Sequence, residues 1–431
     1  MKRFLIIGWI WLAAGVGFSG QAASGEQPGL SSGDSLAYTT IHGIVRDAAT
    51  RKPLAYVSVY IEGAEVASVS NAEGFFVLKI PASIVHATVV FSHLSYKKER
   101  ITVTETNRAE TWTVALEPIA YPLRDVVVRP RGDATELILQ ALERIPDNYG
   151  QQPVAMVAFY REWVKRNSAY VSVAEAVLDI RKAPYASRQT DAARIYRGRK
   201  SADVHRSDTV LFKYQGGIVT TLLLDAAKNT ELLFTAAPQE NYTFTFDEMV
   251  MIDEKPHYAI SFNQRPTARD ILFRGIIYLE PLSLGIARIE FNMNVEERPE
   301  SAQIFVKRSP RGAKVTPVYA TYVVNFREQN GRWQYAYGRS EVKFKSNFKR
   351  FFFFRPTCTV VSELAITDAD ETNAIRIPRK EAVSIYDIVA DELTIFTGDA
   401  FWGAYNYIEP EQPIENAIRK MNRQLKRAGT P

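Results

Sequence analysis

Four polar residues on two predicted neighbouring strands form the first candidate site. Apolar and polar residues alternate on both sides of Asn167-Ser168, which predicts two antiparallel strands joined by a turn. Residues whose numbers sum to about 335 then face each other across the pair, so Tyr160, Arg161 and Glu162 lie close to Glu175. This cluster either binds an anionic or sugar ligand or forms a cross-strand ion pair that fixes the register. The frequency of such pairs favours the second interpretation.

A second candidate is a group of basic residues, Arg197, Arg199, Lys200 and Arg206, followed by Gly216-Gly217. A phosphate-binding loop needs successive backbone N–H groups at the start of a helix, and a bare Gly-Gly lacks the flanking pattern. The group is therefore predicted to be a solvated basic loop, with an anion site as the alternative.

Two aromatic groups could contact a ligand or partner. Phe351 and Phe353 belong to four consecutive phenylalanines between Lys349-Arg350 and Arg355. Four consecutive aromatics cannot all face one side of a strand. An exposed patch for a lipid or partner is thus an alternative to a strand covered on both faces, which is favoured.

Trp402 and Tyr405 belong to the second aromatic group, just before a predicted helix. Pro413 suits the first turn of that helix, whose apolar positions recur at helical spacing. We expect the aromatic residues to dock the helix on the body, and a sugar-binding platform is the alternative.

No catalytic motif is found. None of the five histidines has a Glu three positions later, so the His-x-x-Glu pair of a zinc peptidase is missing. The lone Cys358 is predicted to be a buried strand residue. No metal and no cofactor is predicted. Carboxylate pairs have no sequence signature, so a hydrolase remains an alternative, with these candidate carboxylates: Asp247, Glu248, Asp253 and Glu254.

Composition and the first residues predict an exported, mainly β protein. The 431 residues are 46% hydrophobic and 12% aromatic, and the apolar segments are rich in β-branched and aromatic residues. Residues 1–23 have the basic, apolar and small-residue order of a signal peptide, with cleavage near Ala22 or Ala23. Removing Lys2 and Arg3 lowers the formal charge from +5 to +3, which does not favour a nucleic-acid partner.

A first β-module follows a linker at residues 24–37. Strand-like runs recur about every ten residues from 38 to 118, a spacing typical of a sandwich. Asn71 and Gly74 suit the first and last positions of a turn. The segment resembles the carboxypeptidase regulatory-like domain, and these residues carry the resemblance: Gly43, Val45, Asp47, Thr50, Pro53, Leu54, Val57, Val59, Gly63, Asn71, Gly74, Phe76, Pro81, Phe91, Ser92 and Tyr96.

The resemblance implies a transthyretin-like seven-stranded sandwich of the kind found in Gram-negative envelope proteins, and no peptidase. Two positions depart from the family pattern. Asn71 stands where Asp is commoner, and Ser95 stands where a Gly usually precedes the Tyr. Both are turn positions, so the departures concern loop geometry.

A larger β-body is predicted after a linker and helix at 119–150. The helix begins at an Asp133 cap with Glu136 three residues later, and Pro146 ends it. Long alternating strands over 151–365 predict an antiparallel meander, curved and half-barrel-like, with a tight hairpin at Asn330-Gly331. Residues 366–431 form a C-terminal extension that ends in an amphipathic helix.

Most of the mature chain resembles a family of envelope proteins that fuse such a sandwich to a meander. The segments that carry this are AFYREWVKRNSAYVSVAEAVLDI, YRGRKS and AFWGAYNYIEPEQPIENAIRKM. The paired strands of GIIYLEPLSLGIARIEF are also similar to the hairpins of periplasmic half-barrels such as lipoprotein carriers.

The favoured function is that of a non-catalytic exported envelope protein, a binding or accessory module for a partner protein or a glycan or lipid ligand. Its expected location is the periplasm or the periplasmic face of the outer membrane, with peripheral membrane association. A lipid or lipoprotein carrier with a half-barrel groove and a carboxylate-dependent hydrolase are the alternatives.

Overall fold

The N-terminal body is a sandwich of two sheets. The computed structural model describes residues 38–119, 132–203, 213–214, 217–234, 237–296, 298–308, 313–348, 356–372, 375–395 and 401–427. The sandwich strands are β1 (Tyr38–Asp47), β2 (Ser58–Ile61), β3 (Ala67–Val69), β4 (Phe75–Pro81), β5 (Thr88–Ser92), β6 (Glu99–Thr102) and β7 (Thr111–Leu116). One sheet has the order β4-β1-β7 and the other β3-β2-β5-β6, so the predicted seven-stranded sandwich is confirmed.

Alternating apolar side chains fill the space between these two sheets. Ile41, Val45, Val59 and Phe91 are fully buried there. The predicted turn before β4 is present, because the Gly74 N–H donates to the Asn71 carbonyl over 3.0 Å. Gly74 has φ +80°, a conformation that side chains with a Cβ rarely adopt.

The second body is built on one large sheet that does not close into a barrel. Its strands are β8 (Val154–Arg166), β9 (Ala169–Lys182), β10 (Ala192–Ala202), β12 (Tyr242–Phe246), β13 (Val250–Ile252), β14 (Lys255–Gln264), β15 (Phe273–Leu279), β16 (Ile286–Met293), β18 (Ala313–Gln329), β19 (Arg332–Phe348), β20 (Thr357–Asp370) and β21 (Thr394–Ile395). A separate two-stranded sheet pairs β11 (Lys213–Tyr214) with β17 (Val306–Arg308).

Apart from the short β21, the strand order differs from a consecutive meander by a cyclic shift. It is β12-β14-β15-β16-β18-β19-β20-β8-β9-β10-β21, with β13 paired to β14 alone. The first and last long strands, β8 and β20, are therefore neighbours, and the sheet is open between its edge strands β21 and β12. The hairpin at Asn330-Gly331 is confirmed, and both residues have the positive φ of a tight two-residue turn.

Helices cover one side of this sheet, which we call the core face. They include α1 (Ala134–Glu143), α2 (Ile145–Asn148), α3 (Gly217–Leu223), α4 (Thr230–Leu233), α5 (Pro238–Asn241), α6 (Ala302–Phe305) and α7 (Val389–Glu392). The predicted cap of α1 is present, since the Asp133 carboxylate accepts the Glu136 N–H over 2.8 Å. Leu137 and Ile138 are buried in the largest hydrophobic cluster of the protein. Pro146, predicted to end this helix, lies at the start of α2.

The other side, the sandwich face, is covered by the sandwich and the C-terminal residues. Residues 401–411, which we call the strap, cross the sheet and lead into α8 (Gln412–Arg427). The predicted amphipathic helix is thus confirmed, and Ile414 and Met421 pack on Trp163, Val173 and Val361.

No helix in the described part of the chain is both long enough and apolar enough to cross a bilayer. The predicted signal peptide and the linker that follows it lie outside the described residues, as do residues 120–131 of the second linker.

Candidate functional site

Five charged side chains of alternating sign form a row across five neighbouring strands, β19, β20, β8, β9 and β10. In register, they are Arg339, Glu363, Arg161, Glu175 and Arg199. We call this the ionic row. It lies on the sandwich face, because successive side chains of a strand point to opposite faces of the sheet.

Arg161 is the centre of the ionic row and is fully buried. Its Nε lies 2.9 Å from Glu175 Oε1, and its Nη1 lies 3.5 Å from Glu363 Oε1. Glu175 also receives Arg199 Nε at 2.7 Å. Burial disfavours the charged form of Glu175, but the two arginines outweigh it and lower its pKa. The predicted ion pair between Arg161 and Glu175 is therefore present.

The strap covers the ionic row on the sandwich face of the sheet. Arg161 donates to the backbone carbonyl oxygens of Ile408 and Glu409, the latter over 3.4 Å. Glu411 adds a carboxylate 4.0 Å from the same guanidinium. A buried guanidinium must have its N–H groups hydrogen-bonded, so these carbonyl oxygens tie the strap to β8.

The strap also contacts the sandwich through a series of hydrogen bonds. Asn71 Nδ2 donates to the Glu409 carbonyl over 3.0 Å, and Ser68 donates to the Tyr407 carbonyl over 3.2 Å. The backbone of Lys79 exchanges two hydrogen bonds with the Asn406 amide. The strap therefore holds the sandwich and the large sheet together, and Asn71, one of the two departures from the family pattern, is part of this contact.

Tyr160 and Glu162 point away from the ionic row, to the core face, so the predicted cluster of four is divided between two faces. The Tyr160 hydroxyl donates to Glu162 Oε2 over 2.9 Å. Burial raises the pKa of Glu162 to about 7. A carboxyl with this pKa is partly protonated at neutral pH. Glu162 lies in the closed interior, so this proton is not exposed to solvent.

Arg197 and Arg199 were predicted to lie in a solvated loop, and this is wrong, because both are in β10. Charged residues can occupy this strand because Glu175 pairs with Arg199 and the Arg197 side chain is exposed. Lys200 is in the same strand and donates to the Ala390 carbonyl, whereas Arg206 and Gly216 lie outside the described residues.

Both arginines meet the aromatic residues of the strap. The Arg197 Nη1 donates to the Phe401 carbonyl over 2.8 Å, and the Arg199 guanidinium lies 5.0 Å from the Trp402 ring centre. Trp402 is buried edge-on against Phe159, as expected for a docking residue.

Tyr405, by contrast, is only partly buried and packs against Tyr196 with ring centres 5.2 Å apart. A β-bulge between Ile195 and Arg197 places Tyr196 outside the regular ladder, and its side chain is 43% exposed. We call these residues the aromatic–arginine surface: Tyr196, Arg197, Arg199, Phe401, Trp402 and Tyr405.

A cleft separates the sandwich from the large sheet, and the sequence did not indicate it. This interdomain cleft has a volume of about 60 Å³, and Arg288, Arg327, His93 and Asp253 are among its lining residues. The cavity found on the core face, beside Ile218 and Val389, measures about 10 Å³, which is no larger than one water needs.

Two of the four carboxylates considered for hydrolysis hold the sandwich instead. Asp253 lies 3.2 Å from Lys98, and Glu254 lies 3.6 Å from Arg100. Asp253 and Glu254 form the turn between β13 and β14. Asp247 accepts the Ser261 hydroxyl, and Glu248 is exposed.

A second buried charge cluster was also missed. Lys182 lies 2.6 Å from Asp191 and contacts Asp225, and its ammonium is 4.8 Å from the Tyr185 ring centre. Burial opposes the charge of Lys182, but the two carboxylates outweigh it and raise its pKa. The residues come from β9 and two loops, so the grouping depends on tertiary contacts.

Phe351 and Phe353, the predicted aromatic contacts, lie outside the described residues.

Fold and site define a two-body β protein in which a C-terminal strap joins a sandwich to a large open sheet. Residues 41–128 match the family model of the CarboxypepD_reg-like domain, so the chain contains this domain. A comparison with curated proteins found no significant match.

Solved structures with weak similarity align with just over half of the chain. A putative outer membrane lipoprotein-sorting protein domain from Vibrio parahaemolyticus has 11% identity, covers 56% of this chain and 94% of its own, and gives a TM-score of 0.24. A LolA superfamily protein from Nitrosomonas europaea has 11% identity, 59% and 98% coverage and a TM-score of 0.22. Lipovitellin has 10% identity, 53% and 26% coverage and a TM-score of 0.26.

Proposed function

We propose that the protein is a non-catalytic, exported binding protein of the cell envelope that contacts a partner protein or a glycan through the aromatic–arginine surface. The observation that carries this is the convergence of two groups distant in sequence, Arg197 and Tyr196 from β10 and Phe401 and Tyr405 from the strap. Aromatic and arginine side chains are the residues most enriched in protein interfaces.

The chemistry of this surface suits recognition. The exposed ring of Tyr196 and the partly buried ring of Tyr405 offer a flat apolar area with a polar edge, and a guanidinium donates several hydrogen bonds in a fixed plane. The other conspicuous charged groups, in the ionic row and around Lys182, are paired with each other inside the protein. Export and an envelope location rest on the N-terminal sequence.

Three experiments test this proposal on the mature chain. Co-sedimentation with purified peptidoglycan and binding to a glycan array measure glycan binding. A photo-crosslinking amino acid in place of Ala404, which is exposed in the strap, tests binding of a partner protein in cells. The double substitution Tyr196→Ala and Arg197→Ala should weaken binding at least tenfold. Tyr386→Ala is the matched control, because Tyr386 is 54% exposed and lies in a different segment.

Failure takes two distinct forms. If neither glycan nor a specific crosslinked partner is found, or if the double variant binds as well as the wild type, the surface does not have this role. If the purified protein turns over a glycan, peptide or ester substrate and one substitution abolishes that turnover, the protein is an enzyme.

The carrier alternative requires space for acyl chains beside the sheet. The core face is instead packed by α1 and α3, with Leu137, Ile218 and Leu222 buried in its main cluster. Lipid binding there would need these helices to move away, so the carrier function is second in our order. Lipid that remains bound to the protein through purification would reverse that order.

A further inference from the structure

The interdomain cleft is a second candidate site, separate from the aromatic–arginine surface. Its volume of about 60 Å³ has room for about four ordered waters. One wall comes from the sandwich and includes Ser58 and Tyr60, and the other comes from β16, β18 and β19 of the large sheet. A ligand in this cleft would touch both bodies at once.

Two arginines of neighbouring strands line the same wall. Arg288 of β16 is paired in register with Asn325 of β18. Arg327 lies two positions beyond Asn325 and therefore points to the same face. Both guanidinium groups thus belong to one side of the cleft.

Arg327 is the less well compensated of the two. Its side chain is 16% exposed, and its ion pair with Glu65 is long, 3.5 Å. Burial lowers the pKa of Arg327, and Glu65, Tyr60 and Asp253 do not outweigh that cost. Because arginine stays protonated in proteins, its charge remains in the cleft and another anion would stabilise it.

Arg288 is oriented by its neighbours. Its Nε donates to Glu290 and its Nη1 to Asn325, each over 2.6 Å. A guanidinium carries five N–H donors. The described hydrogen bonds engage two of them in Arg288 and one in Arg327.

The cleft carboxylate of Asp253 is already used within the protein. It accepts the Ser92 hydroxyl and lies 3.2 Å from Lys98. On the wall formed by the large sheet, the groups that can still form hydrogen bonds are therefore mainly the N–H donors of Arg288 and Arg327. Such donors match the oxygens of a carboxylate or phosphate.

We propose that the interdomain cleft binds a small oxyanion group, a carboxylate or phosphate, between Arg288 and Arg327. The volume fits one such group with its waters and not a long chain. Binding bridges the sandwich and the sheet, so it stabilises the folded protein by mass action.

Calorimetric titration of the mature protein tests this with inorganic phosphate and with succinate, against a chloride background of equal ionic strength. We expect one equivalent to bind and the melting temperature to rise. Arg327→Gln should weaken binding at least tenfold. Ser58→Leu fills the cleft without removing charge, so it should also lose binding, and circular dichroism checks that this variant folds as the wild type does.

Arg274→Gln is the matched control, because Arg274 pairs with Glu296 on the same sheet with 42% of its side chain exposed. It should bind as the wild type does. Phosphatidylglycerol vesicles distinguish two sources of the anion. If the vesicles bind the wild type and do not bind Ser58→Leu, the anion is a lipid headgroup. If the protein binds free phosphate or succinate but not the vesicles, the anion is a soluble molecule. The proposal is overturned if the wild type binds neither probe, or if both cleft variants bind as tightly as the wild type.

Discussion

Arg161 on β8 and Glu175 on β9 lie directly opposite each other, with Nε and Oε1 2.9 Å apart and both side chains shielded from solvent. Arg161 also donates to two carbonyl oxygens of the strap. The ion pair between β8 and β9 therefore also positions the strap, which in turn contacts the sandwich. Burial makes the pair sensitive to the loss of either partner, because a charge left alone in the interior is costly.

We expect Arg161→Met to destabilise the protein by about 3–5 kcal/mol. The substitution removes the cation between Glu175 and Glu363 and leaves both carboxylates buried without it. Urea denaturation followed by tryptophan fluorescence measures the free energy of unfolding.

Arg274→Met is the control for this change, since its ion pair with Glu296 is exposed and should contribute about 0–1 kcal/mol. Combining Arg161→Met with Glu175→Gln should cost less than the sum of the two, because the substitutions share a contact. A loss below about 1 kcal/mol for Arg161→Met would show that the ionic row contributes little to stability.

Asn71→Asp should weaken the contact between sandwich and strap. The Asn71 Oδ1 accepts the N–H groups of Glu73 and Phe75, which an aspartate can also do, but Nδ2 donates to the Glu409 carbonyl. A carboxylate has no donor and would face that carbonyl oxygen. The expected cost is about 1–3 kcal/mol, with faster proteolysis of the strap, measured by limited digestion.

Asn107→Asp provides the comparison. Asn107 accepts the Thr104 N–H and donates to the Thr102 carbonyl over 3.0 Å in the same way, but at an exposed site where water replaces the lost donor. Its substitution should leave proteolysis of the strap unchanged. Equal effects of the two substitutions would contradict a specific role for Asn71 in holding the strap.

Local features of this fold could be predicted from the sequence. Alternating residues define β8 and β9, and their turn at Asn167-Ser168 places Arg161 within one position of Glu175. A register shift between Val164 and Lys165, which the sequence did not indicate, brings the two directly opposite each other. The sandwich follows in the same way from strand spacing and from turn residues such as Gly74.

Contacts between distant segments could not be predicted. The pairing of β20 with β8 joins residues about two hundred positions apart, and no local pattern encodes it; Glu363 and Arg339 therefore remained unrecognised as members of the ionic row. The position of the strap could not be predicted either. It depends on hydrogen bonds to backbone carbonyl oxygens, which every residue has and which therefore carry no sequence signal. Arg197 and Arg199 were misassigned because a charged strand with a bulge lacks regular alternation.

The stability of the protein should depend on the protonation of Glu162 between about pH 4.5 and pH 7. Burial raises its pKa from 4.5 to about 7 in the folded state, so folding favours the protonated form. This contribution is complete below pH 4.5 and is lost as the pH rises to about 7, and the shift corresponds to about 3 kcal/mol. Glu162→Gln keeps the side chain neutral at every pH.

The measurement is the free energy of unfolding of wild type and variant at a series of pH values. Relative to the wild type, Glu162→Gln should gain up to about 3 kcal/mol between pH 4.5 and pH 7.5. Glu248→Gln, at an exposed turn, should give a curve parallel to that of the wild type. Parallel curves for both variants would mean that Glu162 is charged in the folded protein at neutral pH.

The single cysteine should be almost unreactive until the protein unfolds. Cys358 is 5% exposed on β20, and burial raises the pKa of its thiol to about 12. Since the thiolate is the reacting species, the native protein at pH 8 should react with a disulfide reagent at least about a thousandfold more slowly than an exposed thiol does. Ser168→Cys in a Cys358→Ser background supplies that exposed thiol, because Ser168 lies in the turn between β8 and β9. In urea the two proteins should react alike. A native Cys358 that reacts as quickly as the exposed thiol would show that this end of β20 opens frequently.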